Sequence, residues 1–164
     1  MIKTIAFAVR PDEMDAFERY STQLDLEVEL VETKLSMDTV HLTKGYQGVV
    51  FFGMCDLSEA VLIELHKNGV QYIASRSAGY NNVDVSVAKK LGIKVSNASY
   101  SPHCVADFTV MMILMSIRKM KSIMQRVIKR NYALAGIQGK EMHNLTFGVI
   151  GTGKIGSITA QSLK

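Results

Sequence analysis

Apolar positions along the first hundred residues fall in short runs, each separated from the next by a stretch of mixed polarity. Residues 48–52 form a fully apolar run, which is typical of a central strand in a parallel sheet. The stretches between them have helical length. The pattern therefore predicts an α/β fold, a doubly wound sheet of about five parallel strands. The predicted strands are 2–9, 26–31, 48–52, 71–75 and 93–96.

Helix signals stand between these runs, where the alternation requires them. Pro11 suits the first turn of a helix. Asp56 and Glu59 have capping-box spacing and predict the start of the next helix. Asp84 is predicted to cap a helix over residues 85–91. Strand and helix thus alternate through residues 1–100.

A different pattern begins at Ser101 and Pro102, which suit the cap and the first position of a helix. This helix is predicted to run to about Asn131, and its first half, residues 105–115, is apolar on nearly every side and should be buried. The second half has a basic side, which fits either nucleic-acid binding or a solvated surface near a helix C-terminus. Aromatic interleaving and DNA-binding signatures are lacking, which favours the solvated surface.

The end of the chain carries glycines at a characteristic spacing. Residues 146–150 predict a strand, and a helical pattern begins near Lys154. Between them, Gly151, Gly153 and Gly156 form G-x-G-x-x-G, in which the first glycine allows a tight turn, the second lets a pyrophosphate approach, and the third lets the helix pack closely. A glycine-rich turn without a ligand is the alternative, and the strand–turn–helix order favours a dinucleotide site.

Composition is that of a soluble globular protein, with 48% hydrophobic and 21% charged residues. Cys55 and Cys104 show neither metal-ligand nor disulfide spacing, which predicts a cytoplasmic protein without a metal site. No signal peptide is visible, and the longest apolar stretch is too short to span a bilayer. Charge is uneven, because residues 1–100 carry 10 Lys and Arg against 13 Asp and Glu, whereas residues 101–164 carry 9 against 2.

Two loops occupy positions where ligands of such sheets bind. Residues 75–84 directly follow a predicted strand, so they are expected at the carboxyl edge of the sheet. Gly79 permits a conformation that points successive backbone N–H groups outward as a nest for an anion, and an ordinary connection is an equal alternative. Residues 96–108 join the sheet to the long helix and predict a hinge between two domains, with a cleft beneath it.

Three of these stretches, in this order and spacing, resemble the D-isomer-specific 2-hydroxyacid dehydrogenases. They are residues 76–84 (RSAGYNNVD), 97–107 (NASYSPHCVAD) and 148–156 (GVIGTGKIG). The resemblance extends from about residue 48 to the end of the chain. Within the family, the chain is most similar to the D-lactate dehydrogenases, including those tied to vancomycin resistance.

The resemblance implies an NAD-dependent oxidoreductase that interconverts a 2-keto acid such as pyruvate and a D-2-hydroxy acid such as D-lactate. Residues 1–100 would form a flavodoxin-like substrate domain, and residues 101–164 would begin a Rossmann domain that contributes to a homodimer. The substrate would contact Ala78, Gly79, Tyr100 and Phe52. The cofactor would contact Val105 near the nicotinamide and Gly151, Gly153, Lys154, Ile155 and Gly156 at the pyrophosphate.

The family's catalytic histidine, glutamate and arginine have no counterpart in residues 1–164. His41, His66, His103 and His143 do not match the family's catalytic position, so no catalytic residue is assigned. The helix that begins near Lys154 has no end signal, and we expect an N-terminal part of a longer protein that lacks turnover by itself. Two alternatives remain: an NAD(H)-sensing regulator of the corepressor type, and a plain binding domain with a chance glycine pattern.

Overall fold

The computed structural model describes residues 2–164, which divide into two compact units at the boundary between Tyr100 and Ser101. The first unit has alternating strands and helices, with short 3₁₀ helices at Pro11–Glu13 and Val40–Thr43. Assignment of the two units to substrate and cofactor stays a prediction. The strands of the first unit are β1 (Ile2–Ala6), β2 (Leu26–Leu30), β3 (Gly48–Phe51), β4 (Tyr72–Ser75) and β5 (Lys94–Ser96), and its helices are α1 (Met14–Gln23), α2 (Glu59–Lys67) and α3 (Val85–Lys90).

The five strands form one sheet in the order β2-β1-β3-β4-β5, and every neighbouring pair is parallel. Ile5 pairs with Val49, which pairs with Ile73, so these three side chains share one face. The α/β prediction is confirmed. The chain passes from β1 outward to β2 and then back across to β3, which makes the β1/β3 boundary the topological switch point of the sheet.

The main core lies on the face shared by Ile5, Val49 and Ile73, where apolar side chains of the strands pack against α2 and α3. The opposite face carries α1, and a cavity of about 330 Å³ remains between this helix and the strands β1, β2 and β3. The buried side chains of the core include Phe7, Phe51, Val61, Leu62, Leu65, Val87 and Ala88.

One predicted helix cap is correct and one is wrong. The carboxylate of Asp84 accepts hydrogen bonds from the Ser86 hydroxyl at 2.7 Å and from the Val87 N–H at 3.0 Å, and these bonds hold the pKa of Asp84 below its usual range. Asp56 is not a cap, because the chain stays extended to Ser58, which is the N-cap of α2. The Asp56 carboxylate instead accepts the N–H of Ser58 at 2.9 Å.

The second unit contains α4 (Pro102–Ile117), α5 (Met120–Ile128) and α6 (Lys154–Ser162), with a 3₁₀ turn at Met142–Asn144. α4 packs against α6, and Ala106 is its buried residue. The expectation that residues 105–115 are buried on most sides is wrong for the described chain, because Phe108 keeps 59% of its surface exposed. No helix within residues 2–164 combines the length and apolar character needed to cross a membrane.

The single long helix predicted from Pro102 to Asn131 is interrupted at Lys119, whose φ of 54° lies in the left-handed region. The sequence has no glycine or proline there to signal a break. Residues 133–140 return over this point, where the N–H of Lys140 donates to the Ile117 carbonyl at 2.9 Å. The break is thus stabilised by a segment that follows α5 in the chain.

Residues 146–150 form no strand, which corrects the prediction for this segment. A strand requires hydrogen bonds from a neighbouring strand, and no other segment of residues 2–164 pairs with it. Ile150 is fully exposed. The segment therefore lacks a strand to pair with in the described chain.

Substitution Lys119→Gly tests the helix break by the sign of its effect. Glycine adopts positive φ without steric cost, so we expect the free energy of unfolding to rise by up to about 1 kcal/mol. In an uninterrupted helix the same change would destabilise by about 1 kcal/mol. Chemical denaturation measures the difference, with Lys121→Gly inside α5 as the destabilising control. A loss of stability in both variants would contradict the break.

Candidate functional site

The loops that follow β1, β3 and β4 meet at the carboxyl edge of the sheet. The Phe7 N–H donates to the Val50 carbonyl at 2.8 Å, and the Arg76 N–H donates to the Phe51 carbonyl at 2.9 Å. These bonds extend the parallel ladders by one residue and keep the loops side by side. Open α/β sheets bind ligands at this edge, at the switch point of the strand order.

Three successive carbonyls are fixed in the loop after β4. The Ser77 carbonyl accepts from the Ala98 N–H at 3.2 Å, the Ala78 carbonyl from the Asn97 amide at 2.9 Å, and the Gly79 carbonyl from the Ser77 hydroxyl at 2.9 Å. In a trans peptide, the N–H points opposite to the C=O. The N–H groups of Ala78 and Gly79 therefore point away from these donors, and nothing within residues 2–164 accepts them.

The way in which this loop presents its N–H groups differs from the prediction for Gly79. Its φ is not positive, and a Cβ added there would meet no atom within 4 Å. Gly79 therefore does not form an anion-binding nest through a backbone conformation that favours glycine. The hydrogen bonds to the carbonyls orient the N–H groups instead, and two such neighbouring donors suit a carboxylate or another small anion.

Phe52 follows β3 and is half-buried beside this loop. Its ring lies 5.7 Å from the guanidinium of Arg76 and 5.4 Å from that of Arg10. Arg10 is paired with Asp12 at 2.8 Å, and this hydrogen bond holds the pKa of Asp12 below its usual range. Tyr100 is 54% exposed at the end of the first unit. Phe52 thus provides an apolar wall bounded by two cations.

The arginine at position 76 is the functional candidate that sequence reasoning missed, although it lies inside a motif. Its side chain contacts Glu13, Phe7 and Ala8, which lie 63 to 69 positions earlier in the chain. Nothing in the local sequence around Glu13 signals this contact. At Arg76, the other partner of the contact, the available sequence signal was an arginine placed directly after a buried strand.

The glycine turn before α6 has distinct surroundings at each glycine. Gly151 has a φ of 91°, which is strained for any residue with a side chain. A Cβ on Gly156 would lie 2.0 Å from the Gly151 carbonyl oxygen, whereas one on Gly153 would meet nothing within 4 Å. The turn therefore brings the helix close at Gly156 and leaves open space at Gly153.

The N-terminus of α6 offers unpaired donors to that open space. Its N-cap is Gly153, which has no side chain to cap the helix, and its first turn contains no acidic residue. The first N–H groups of a helix have no partner inside it, so those of Lys154 and Ile155 are available to an anion. Val105 lies in the first turn of α4, where it is 37% exposed.

The histidines of this chain lie at the surface, and the described residues hold no cluster of metal ligands. His41, His66, His103 and His143 are all exposed. Residues 2–164 contain no group of three or more His, Cys, Asp or Glu side chains placed to hold a metal ion. The geometry supports anion binding at two places, the loop after β4 and the glycine turn before α6.

Comparisons with known proteins agree on one family. The family model for the catalytic domain of D-isomer specific 2-hydroxyacid dehydrogenase matches residues 4–164. An aromatic 2-oxoacid reductase of Clostridium sporogenes is 41% identical over 156 residues, which cover 94% of this chain and 47% of that protein. The chain spans about half the length of the curated relatives it matches.

Solved structures give the same result for the fold. The apo-structure of D-lactate dehydrogenase from Escherichia coli matches 99% of this chain and 52% of its own, with a TM-score of 0.84 and 35% identity. D-lactate dehydrogenase from Aquifex aeolicus, complexed with NAD and lactic acid, matches 98% of this chain and 47% of its own, with a TM-score of 0.85 and 30% identity.

Substitution Gly156→Ala tests the close packing of the glycine turn. The added methyl group would overlap the Gly151 carbonyl, so we expect a loss of about 1–3 kcal/mol in the free energy of unfolding. Gly153→Ala is the matched control, because its methyl group enters open space and should cost only about 0.5–1 kcal/mol, from the loss of a favourable N-cap residue. Equal losses from both changes, measured by chemical denaturation, would contradict this packing.

Proposed function

The chain belongs to the family of D-isomer-specific 2-hydroxyacid dehydrogenases, as its three motifs predicted, and on this basis we propose that the complete protein interconverts a 2-keto acid and a D-2-hydroxy acid with NAD as cofactor. The observation that carries the proposal is the pair of free N–H groups at Ala78 and Gly79, held at the carboxyl edge of the sheet by fixed carbonyls. The oxidoreductase class follows from the family and its relatives.

The N–H groups of Ala78 and Gly79 would bind the substrate carboxylate. A carboxylate accepts such bonds strongly because it is charged, and their fixed direction would orient the keto group next to it. Phe52 would contact the substrate side chain, since its ring lies beside the same loop, and Tyr100 would contribute a second apolar wall. Substrate orientation is thus the task proposed for the first unit.

The substrate side chain is proposed to be small or aromatic. Phe52 and Tyr100 supply apolar surface, which suits the methyl group of pyruvate and also the ring of an aromatic keto acid. The relatives include an aromatic 2-oxoacid reductase and D-lactate dehydrogenases, which divide between the same two classes. Pyruvate and phenylpyruvate are therefore the first substrates to compare.

The residues of the glycine turn fit a dinucleotide. Open space at Gly153 would admit the pyrophosphate, and the N–H groups of Lys154 and Ile155 would bind it at the start of α6. The tight turn at Gly151 and the close packing at Gly156 would hold that helix in place, and Val105 would contact the nicotinamide. When bound, NADH supplies the hydride that reduces the keto group.

Proton transfer is not assigned to any residue of this chain. A general acid must reach the substrate oxygen, and the four histidines of this chain are exposed and do not match the family's catalytic position. We therefore assign binding and orientation to residues 1–164, without turnover. The complete protein is proposed to act in the cytoplasm as a homodimer, and the exposed apolar side chains of α4, such as Phe108 and Met112, support an interface there.

The decisive assay compares the complete gene product with the 164-residue chain. We expect the complete protein to oxidise NADH in the presence of pyruvate or phenylpyruvate, and the 164-residue chain to show no turnover. NADH binding by the complete protein without reduction of any 2-keto acid would support the NAD(H)-sensing regulator instead. If the complete protein shows neither NADH binding nor turnover, the result would support the alternative of a plain binding domain with a chance glycine pattern.

Substitution Gly153→Val in the complete protein tests the proposed cofactor position. The branched side chain would fill the space assigned to the pyrophosphate, so NADH affinity should fall at least about tenfold. Fluorescence titration with NADH measures the loss. The free energy of unfolding should fall by no more than about 1 kcal/mol, the cost of a poor N-cap residue, because no atom of the chain lies within 4 Å of the added Cβ. Unchanged NADH affinity would contradict the assignment.

A further inference from the structure

Arg76 connects three strand ends of the first unit. Its Nη1 donates to the Phe7 carbonyl at 3.0 Å and its Nη2 to the Ala8 carbonyl at 2.7 Å, both just after β1. Its guanidinium lies 5.7 Å from the ring of Phe52, just after β3, while Arg76 itself follows β4. A single planar group therefore sets the spacing of the loops that form the candidate site.

Glu13 completes this arrangement from the other side. Its Oε1 accepts from Arg76 Nε at 3.1 Å, and its Oε2 accepts from the Arg76 Nη2 at 3.3 Å and from the Arg10 N–H at 3.0 Å. The Arg76 and Glu13 side chains are only 14% and 17% exposed. The glutamate therefore holds the arginine and the backbone of the loop after β1 together.

The backbone at Ala8 indicates that the pair imposes a conformation. Ala8 has a φ of 52°, a left-handed value that residues with a side chain rarely adopt. Its carbonyl is the acceptor at 2.7 Å from Arg76, and its N–H donates to the Thr33 carbonyl at 2.8 Å. Such strain persists where surrounding contacts over-determine it, and it concentrates at functional sites.

Stability alone does not explain an ion pair that is so little exposed. The cost of desolvating two charges offsets much of their attraction, and an apolar pair of similar size is often as stable. What the pair adds is geometry, because a guanidinium directs several hydrogen bonds in one plane and at fixed angles. Here those bonds fix the loop after β1 relative to the start of the loop that carries Ala78 and Gly79.

We propose that Arg76 and Glu13 form a positioning pair, which fixes the carboxylate-binding N–H groups of Ala78 and Gly79 relative to the wall at Phe52. The pair does not touch the substrate, and it acts through the loops that do. This inference rests on the proposed function, because the loops matter as a substrate site. Small errors in orientation are costly to reaction rates, which gives the pair a measurable role.

Arg76→Lys in the complete protein is the first test. Lysine keeps the charge, but it lacks the planar fork that reaches both carbonyls and the carboxylate. We expect kcat/KM for the keto acid to fall about 10- to 100-fold, with NADH affinity unchanged. Arg19→Lys is the matched control, since Arg19 is exposed, stacks on Tyr20 at 5.6 Å and should leave kcat/KM unchanged. An unaltered kcat/KM in Arg76→Lys would overturn the proposal.

The double substitution Arg76→Met with Glu13→Leu separates positioning from stability. It removes both charges together, so the thermal midpoint should fall less than in either single substitution, which leaves one little-exposed charge unpaired. The loss in kcat/KM should remain, and it should appear in KM as well as kcat because the carboxylate site is displaced. Recovery of kcat/KM together with stability would show a merely structural pair.

A second readout does not depend on catalysis. In the 164-residue chain, the amide NMR resonances of Ala78 and Gly79 should shift or broaden in Arg76→Lys and in the double variant, but not in Arg19→Lys. Unmoved resonances would overturn the positioning role. If the complete unsubstituted protein reduces no keto acid, the proposed function fails, and these resonances still decide whether the pair positions the loop.

Discussion

Parallel pairing of the strands is the constraint on which the first unit depends. It brings the carboxyl ends of β1, β3 and β4 to one edge, so loops from distant parts of the sequence become neighbours. The strand order reverses between β1 and β3, which opens a place for a ligand at that edge. Phe52 and the loop at Ala78 are close because the strands that precede them, β3 and β4, are parallel neighbours in the sheet, and not because the two segments attract each other. The side chains then refine a geometry that the sheet has already set.

Much of the sheet was predictable because strand-like segments alternate with helical ones along the first hundred residues, and the central strand β3 is a continuous apolar run. The cap at Asp84 was predictable because its effect is local, reaching only Ser86 and Val87. The break at Lys119 was not, since a segment beyond α5 stabilises it. The strand expected over residues 146–150 was predicted from apolar pattern alone, and a pattern supplies no neighbouring strand to pair with.

In the candidate site, too, local features were predictable from the sequence and contacts between distant residues were not. The glycine spacing before α6 was readable, because each glycine meets a local backbone requirement that its absence of Cβ satisfies. Gly79 was singled out for a conformation that it does not adopt, although its loop does present free N–H groups. The contact between Arg76 and Glu13 spans 63 positions, and only the folded sheet brings the two residues together. Sequence thus indicated where the site lies and missed what orients it.

Both anion-binding positions use backbone N–H groups, but they orient these groups by different means. A helix directs its first N–H groups by its own geometry, so the turn before α6 needs only space and a glycine N-cap. The loop after β4 has no helix to align its donors, and its carbonyls must be held one by one by Asn97, Ser77 and Ala98. The orientation of the N–H donors in such a loop therefore depends on the contacts that hold the two ends of the loop. Arg76 stands at one of those ends, which is why a side chain that binds neither donor group is expected to control their orientation.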